Sequence, residues 1–181
     1  MGSRGTVETR PKRSQEAREG PGPATRALTR LALRWARNAE WEDLEAVATR
    51  SWRLVARTEA CVAWLIVWPV GGTIQLHDHG ESSGVIVVVS GTLEETRIQT
   101  NVAGACESTR RTLVAGGVPA SFSRHEIHDV TNAGPAAALS LHVYSPRLTT
   151  MTFYEPLGDR LVVCRREEVA DDEPEARLAL S

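Results

Sequence analysis

Lysine is almost absent from this 181-residue chain. Lys12 is the single lysine, and arginine supplies the rest of the 21 basic residues, against 23 acidic residues and a formal net charge of −2. Because the arginines are interspersed with Asp and Glu, no dense basic patch is available to bind a phosphate backbone. A nucleic-acid partner is therefore not expected.

Long hydrophobic runs and paired cysteines are missing as well. A membrane span needs roughly 18 consecutive apolar residues, whereas the longest run here, CVAWLIVWPV at residues 61–70, has the length of a strand. The first 23 residues have no apolar core and do not resemble a secretory signal. The three cysteines have no CxxC spacing, which indicates reduced thiols. We therefore expect a cytoplasmic protein without membrane contact.

The chain length fits one domain with its own hydrophobic core. Residues 1–23 combine charge, Gly and Pro without apolar periodicity, so they are predicted to be a disordered leader. Residues 24–165 are predicted to form the single domain, and residues 166–181 a flexible acidic tail. We expect a monomer or a weak homodimer.

Apolar periodicity divides the domain into a short helical part and a long β part. Leu28, Leu31 and Trp35 predict one helix, and the spacing of Trp41, Leu44 and Ala48 predicts a second. The chain then changes to short β-rich runs separated by Gly, Pro, Asn and Ser. The predicted strands are 52–57, 61–67, 73–79, 85–90, 93–99, 111–114, 120–122, 128–131, 137–144, 150–154 and 161–165. This pattern predicts an all-β barrel behind an N-terminal helical cap.

The histidines are concentrated in the β part. None precedes His77, and the others are His79, His125, His128 and His142. His77 and His79 alternate along a predicted strand, so both imidazoles face the same side. Two imidazoles on one face can chelate one metal ion, although an HxH pair alone is more often a hydrogen-bonded surface pair.

The residues around these histidines resemble the two sequence motifs of the cupin superfamily. The matching positions are Gly71, the HxH pair, Gly91, Gly117, His128 and Asn132. The resemblance implies a cupin-type β-barrel, or jelly roll, in which the second motif brings His128 beside the HxH pair. His125 is the alternative third ligand, and the match at Asn132 favours His128.

One departure from the cupin motif decides the predicted ligand set. The first motif usually carries a glutamate ligand after the HxH pair, but the spacing to Gly91 puts Gly84 at that position. Glu81 lies too close to the pair to replace it. The predicted metal site therefore consists of three neutral imidazoles, from His77, His79 and His128, without a carboxylate.

Three further segments make the resemblance narrower. HDHGESSG, GTLEE and above all SLHVYSP at residues 140–146 are similar to the cysteine dioxygenase family of non-haem iron enzymes, over about residues 50–155. By position, this implies His77, His79 and His128 as Fe(II) ligands. It also implies that Ser140, His142 and Tyr144 form an outer-sphere relay, with Tyr144 reaching the iron pocket.

The resemblance implies one further role, the binding of the substrate carboxylate by an arginine. Arg53, in SWRLV, matches that arginine, and Arg50 and Arg57 are the alternatives because the alignment is loose by about one residue. A guanidinium suits this role because it offers a planar fork of two donors. Some relatives link a cysteine to the relay tyrosine, but Gly84 occupies the matching position, so that crosslink cannot form.

The function implied is an Fe(II) dioxygenase that adds both atoms of O2 to the thiol of L-cysteine and forms cysteine sulfinic acid. Three imidazoles on one face of an octahedral ion leave three adjacent positions open for the thiolate, the amine and O2. Dioxygenation of 3-mercaptopropionate is the alternative within this class. A non-catalytic cupin that binds a small molecule is the alternative outside it.

Overall fold

The computed structural model describes residues 22–41, 46–100, 106–158 and 160–169. One helix, α1 (Pro23–Ala36), precedes eleven strands within these residues. The strands are β1 (Ser51–Arg57), β2 (Val62–Trp68), β3 (Thr73–Asp78), β4 (Ser83–Ser90), β5 (Thr92–Thr100), β6 (Cys106–Val114), β7 (Ala120–Phe122), β8 (Ile127–Thr131), β9 (Ala138–Ser145), β10 (Thr150–Leu157) and β11 (Arg160–Glu168).

The strands form two antiparallel sheets that face each other. The five-stranded sheet has the order β1-β2-β9-β4-β7, and the six-stranded sheet has the order β11-β10-β3-β8-β5-β6. Neighbours in space are distant in sequence, as in the pairing of β2 with β9 and of β3 with β8. The predicted all-β fold with an N-terminal helix is confirmed.

Both faces of the five-stranded sheet are covered. Every residue of β2 is buried, because Val62, Trp64, Ile66 and Trp68 face the space between the sheets while Ala63, Leu65 and Val67 face outwards. The outer face packs against Leu28, Leu31 and Trp35 of α1. This double burial explains why the β2 segment is a continuous apolar run rather than an alternating one.

The six-stranded sheet is more exposed than the five-stranded sheet, and only some of its strands alternate in burial. In β6 most residues are exposed, whereas β8 alternates between half-buried and buried positions. Its inner face contributes Ile74, Leu93, Leu113, Val130 and Phe153 to the core between the sheets. Its outer face therefore accommodates the polar residues of the β part.

All predicted strands are present, with ends displaced by a few residues. The first predicted helix is confirmed, whereas the second falls partly on residues 42–45, outside the described residues, and Ala48 is not helical. Strand β11 continues to Glu168, three residues past the predicted end of the domain at 165. The division into leader, domain and tail otherwise stays a prediction. Among the described residues, no helix is both long and apolar enough to cross a membrane.

Candidate functional site

Three histidines meet on the inner face of the six-stranded sheet. His77 lies in β3 opposite His128 of β8, and His79 follows β3 by one residue. All three are buried, and one ring nitrogen of each lies within 4.8 Å of those of the other two. The HxH alternation and the pairing of β3 with β8 thus bring together the three residues that the sequence predicts as metal ligands.

Two of the three rings are oriented by contacts on the side away from the meeting point, whereas His79 Nδ1 has no hydrogen-bond partner among the described residues. His77 Nδ1 lies 2.8 Å from the Gln75 carbonyl oxygen, and His128 Nδ1 lies 2.6 Å from Glu95 Oε1. The Nε2 atoms of His79 and His128 are 3.4 Å apart. Acceptors at Nδ1 favour a proton there and leave the Nε2 lone pair free for a metal.

The protonation state of His77 and His79 suits a metal site. Burial lowers the pKa of His77 and His79 well below the usual value, and the neighbouring imidazoles lower it further. These imidazoles are therefore neutral at physiological pH, which is the form that binds a metal ion. A divalent ion between the three rings would be bound by ring nitrogens that carry no proton.

The position of the usual cupin glutamate is closed by an aromatic ring. A Cβ atom on Gly84 of β4 would lie 2.1 Å from Cζ of Phe122, which belongs to the neighbouring strand β7. The Phe122 ring also stacks on His79, with ring centroids 4.3 Å apart. A side chain at position 84 therefore has no room, which agrees with a ligand set of histidines alone.

A cavity of about 440 Å³ opens beside His77 between the two sheets. Its walls are mostly aromatic and aliphatic, and they include Tyr144 and His142. Trp64 and Trp68 belong both to the buried core and to the cavity wall. The described residues that line the cavity are Arg50, Trp52, Trp64, Ile66, Trp68, Ile74, His77, Val130, His142, Tyr144, Leu148, Met151, Phe153, Glu167, Glu168 and Val169.

The structure does not bring Arg53 to this cavity. Arg53 is exposed on the outer side of β1, where it donates a hydrogen bond to the backbone carbonyl of Glu40 and lies 5.3 Å from the Trp41 ring centroid. Residues of a strand alternate between its faces, so Arg53 and Arg50 point in opposite directions. Arg57 is exposed as well.

Arg50, the residue before β1, lines the cavity instead. Its guanidinium carbon lies 5.3 Å from the Trp52 ring centroid and 5.4 Å from that of Trp68. Burial lowers its pKa to about 10, an effect that Tyr144 partly offsets. Arg50 thus stays protonated at neutral pH and is only partly hydrated, so an anion in the cavity would bind it strongly.

Ser140, His142 and Tyr144 form a hydrogen-bonded chain along the inner face of β9. Ser140 Oγ lies 3.0 Å from His142 Nε2, and His142 Nδ1 lies 3.3 Å from the Tyr144 hydroxyl oxygen. Trp68 Nε1 donates to Ser140 Oγ at 2.8 Å. If the Ser140 hydroxyl donates to His142, then His142 donates to Tyr144, and the Tyr144 proton is free to point into the cavity.

Burial sets the charge of this chain. It lowers the pKa of His142 to about 3 and raises the pKa of Tyr144 above its usual value. His142 is therefore a neutral imidazole with one proton, and Tyr144 is a protonated phenol at physiological pH. The pair can orient a hydrogen-bond donor but carries no charge of its own.

Sequence reasoning assigned no role to Glu95, although the segment GTLEE contains it. The Glu95 side chain is 0% exposed, and burial alone would raise its pKa, but hydrogen bonds from His128 and Arg111 hold that pKa at about 2. Leu93 and Glu95 are two residues apart in β5, so they point to the same face of the strand, and that face is buried. His125 is exposed and bonded to Arg124, outside the cluster.

Comparison with known proteins agrees with this geometry. The sequence profile of cysteine dioxygenase type I matches residues 28–156. Among solved structures, a recombinant oxalate oxidase in complex with glycolate is similar with a TM-score of 0.51, at 15% identity over 63% of this chain and 59% of that chain. A comparison with curated proteins gives no match.

Smaller proteins are similar over nearly their whole length. TT1209 from Thermus thermophilus is 22% identical over 61% of this chain and 92% of that chain, with a TM-score of 0.47. KdgF from Halomonas sp. is 22% identical over 61% of this chain and 89% of that chain, with a TM-score of 0.46. The profile match extends from α1 to β10, over more than half of the chain, and the protein therefore belongs to the cysteine dioxygenase type I family, with a cupin-type barrel.

Proposed function

We propose that this protein is an Fe(II)-dependent thiol dioxygenase that oxidises L-cysteine with O2 to cysteine sulfinic acid. The observation that carries the proposal is the cavity at His77, because it places a cation and a phenol beside a cluster of three buried imidazoles. In the reaction the S–H group becomes a sulfinic acid, both oxygen atoms come from one O2 molecule, and no external reductant is consumed.

His77, His79 and His128 would hold the iron through their Nε2 atoms. The bound Fe(II) would supply adjacent positions for the thiolate and O2 and the electrons that activate O2. Neutral ligands leave the positive charge of the ion uncompensated, which favours an anionic thiolate as substrate. The protein supplies the binding groups, their orientation and the exclusion of water.

Arg50 is the proposed site for the carboxylate of the substrate. A carboxylate accepts two parallel hydrogen bonds from a guanidinium, and the Arg50 guanidinium lies beside the Trp52 and Trp68 rings at the cavity wall. The mostly apolar wall and the partial burial of Arg50 strengthen such an ion pair. Arg50 thus replaces Arg53 in the role that the family resemblance implies for an arginine.

Tyr144 is the proposed hydrogen-bond donor to the reacting groups. Its hydroxyl lies at the end of the chain from Ser140 through His142, and its ring centroid is 5.3 Å from that of His79. Because burial raises the pKa of Tyr144, the phenol keeps its proton and donates a hydrogen bond to an anionic acceptor in the cavity. His142 and Ser140 fix the direction of that donation.

The three cysteines support a reducing setting for this chemistry. Cys61, Cys106 and Cys164 are all free thiols. A substrate that must arrive as a thiol is abundant in the cytoplasm, where glutathione and thioredoxin keep thiols reduced. We propose the cytoplasm as the site of action.

The test is to identify the product. Purified protein loaded with Fe(II) is incubated with L-cysteine and ¹⁸O2, and cysteine sulfinic acid with two ¹⁸O atoms is expected by mass spectrometry. Oxygen uptake is measured in parallel with L-cysteine and with 3-mercaptopropionate. Saturation by 3-mercaptopropionate alone would identify it, and not cysteine, as the substrate. Protein that binds no iron and oxidises neither thiol would be a non-catalytic cupin.

A further inference from the structure

A buried charged cluster lies behind His128, on the side away from the cavity. Glu95 Oε1 lies 2.6 Å from His128 Nδ1 and 3.2 Å from Arg97 Nε, and Glu95 Oε2 accepts a hydrogen bond from Arg111 Nε. Arg97 is itself held by Glu126 and by the Ser121 carbonyl oxygen. Both oxygens of this inner carboxylate thus have cationic or imidazole partners.

Three neighbouring strands fix this cluster. Arg111 of β6 lies directly opposite Glu95 of β5, and Arg97 of β5 lies directly opposite His128 of β8. Glu95 is therefore diagonal to His128 on the same face of the sheet, within reach of a long side chain. The register of the six-stranded sheet, and not a flexible loop, brings the carboxylate to the histidine.

Burying a carboxylate in this place costs folding free energy, which suggests that the residue is retained for its function. Ionised groups buried in a protein core are often less stable than apolar residues of similar size, even when they are paired. Glu95 is fully buried, as are Leu93 on the same face of β5 and Val130 directly opposite on β8. Of the three partners of this carboxylate, the two arginines balance its charge, and His128 connects it to the histidine cluster.

We propose that Glu95 is a positioning residue that fixes the tautomer of His128 and strengthens its Nε2 as a metal ligand. A carboxylate is an acceptor only, so it holds the proton on Nδ1 and directs the Nε2 lone pair to the site. Negative charge at Nδ1 also makes Nε2 more basic. This inference rests on the proposed metal site.

The arrangement compensates for the absent carboxylate ligand. Phe122 fills the space at Gly84, so no side chain can supply a negative charge there. Glu95 supplies it one imidazole ring further from the metal position, where it leaves the coordination positions to the substrate. The site therefore keeps three neutral ligands yet is not wholly without carboxylate support.

The test compares two glutamates of one strand. Metal-free protein, Glu95→Gln and Glu94→Gln are titrated anaerobically with Co²⁺, followed by the visible absorption of the bound ion. Glu94 is a matched control, because it lies next to Glu95 but is partly exposed and pairs with Arg110 at 3.8 Å. We expect the Glu95 variant to bind Co²⁺ about 10- to 100-fold more weakly, and the Glu94 variant to match the wild type.

A second readout needs no metal. Ring ¹⁵N shifts in the metal-free protein report which nitrogen of each histidine carries the proton. Wild-type His128 is expected as the Nδ1–H form, whereas a glutamine at position 95 can donate its amide N–H to Nδ1 and shift His128 towards the Nε2–H form. A merely structural role for Glu95 would not move this equilibrium.

A charge-balanced variant guards against unfolding. Glu95→Gln alone leaves Arg97 and Arg111 without their shared anion, so Glu95→Gln with Arg111→Gln is measured beside it. We expect the second change to restore melting temperature but not Co²⁺ affinity. Affinity within twofold of wild type in both variants, with the Nδ1–H form of His128 unchanged, would overturn the proposal. If wild-type protein itself binds no Co²⁺, the proposed function fails, and the His128 tautomer still decides the role of Glu95.

Discussion

The two sheets contribute different chemistry to one site, which His77 joins to the cavity. The six-stranded sheet carries His77, His128 and, one residue past β3, His79, together with the carboxylate of Glu95. The five-stranded sheet carries the Ser140–His142–Tyr144 chain, and Arg50 directly precedes its edge strand. The six-stranded sheet thus provides a metal wall beside the cavity, suited to hold a metal, and the five-stranded sheet a substrate wall, suited to hold and orient a substrate.

The sheets also differ on their outer faces. Helix α1 covers the five-stranded sheet, so β2 and β9 are buried on both sides, whereas β6 of the other sheet is largely exposed. The substrate wall is therefore supported by packing from behind, and the metal wall by cross-strand polar contacts such as those of Glu95. From this we expect that changes in one sheet affect metal binding and changes in the other affect substrate turnover.

Removing a ligand from the six-stranded sheet should have the largest effect. His77→Ala is expected to abolish thiol oxidation and to lower the metal content of the purified protein, because two imidazoles do not complete the face that the site requires. Metal content by mass spectrometry and oxygen uptake check this. His125→Ala is the control, since His125 is exposed and lies outside the cluster. Normal iron content and activity in His77→Ala would contradict a metal-binding role for the six-stranded sheet.

Arg50→Ala should separate substrate binding from metal binding. Loss of a charged hydrogen-bond partner costs about 1.5–3 kcal/mol, so KM for cysteine is expected to rise about 10- to 100-fold while iron content stays unchanged. Arg53→Ala is a matched control, because Arg53 is three residues away on the opposite face of β1 and contacts Glu40. Steady-state oxygen uptake gives both constants. A rise in KM for Arg53→Ala alone would mean that Arg53, the residue indicated by the sequence motif, binds the substrate carboxylate.

Tyr144→Phe should act on turnover and leave both binding steps nearly unchanged. The change removes one hydroxyl at the end of the relay, and we expect kcat to fall about tenfold with KM and iron content close to wild type. Tyr154→Phe is the control, because the other tyrosine bonds to Asp78, which does not line the cavity. Equal kcat values for the two variants would mean that the relay does not reach the reacting groups.

Local periodicity predicted the strands and the common face of His77 and His79, because alternation along a strand is a short-range property. It was insufficient for the arginine. Arg50 and Arg53 are separated by an odd number of positions and face opposite sides, and the resemblance alone did not select the face. The apolar residues Trp52 and Leu54 carried the missing signal, since both pack on the core between the sheets and share their face with Arg50.

Contacts between distant strands were beyond the sequence. Glu95 is recognisable as a buried position from its alternation with Leu93, but its partner His128 lies 33 positions further along the chain. The same holds for Gly84 and Phe122, which meet because β4 pairs with β7. The order of strands in the sheets decides such contacts. General rules for strand connections limit the possible orders but do not select one from a single sequence.

The smallest effect is expected where the two sheets touch at Phe122. Gly84→Ala brings a methyl group to within 2.1 Å of the Phe122 ring, so the ring must move, and crowding of this kind costs about 1–3 kcal/mol. The melting temperature is expected to fall by several degrees, and Ser83→Ala, next to Gly84 in β4, should leave it unchanged. In a Phe122→Leu background the same Gly84→Ala change should cost less, because the clash with the ring is relieved while the 2.8 Å approach to the Val143 carbonyl oxygen remains. Equal costs in both backgrounds would contradict the contact with the ring. Phe122 also stacks on His79. A displaced ring in Gly84→Ala should therefore weaken metal binding slightly, which would make this variant an exception to the separation of the two walls and mark where they are coupled.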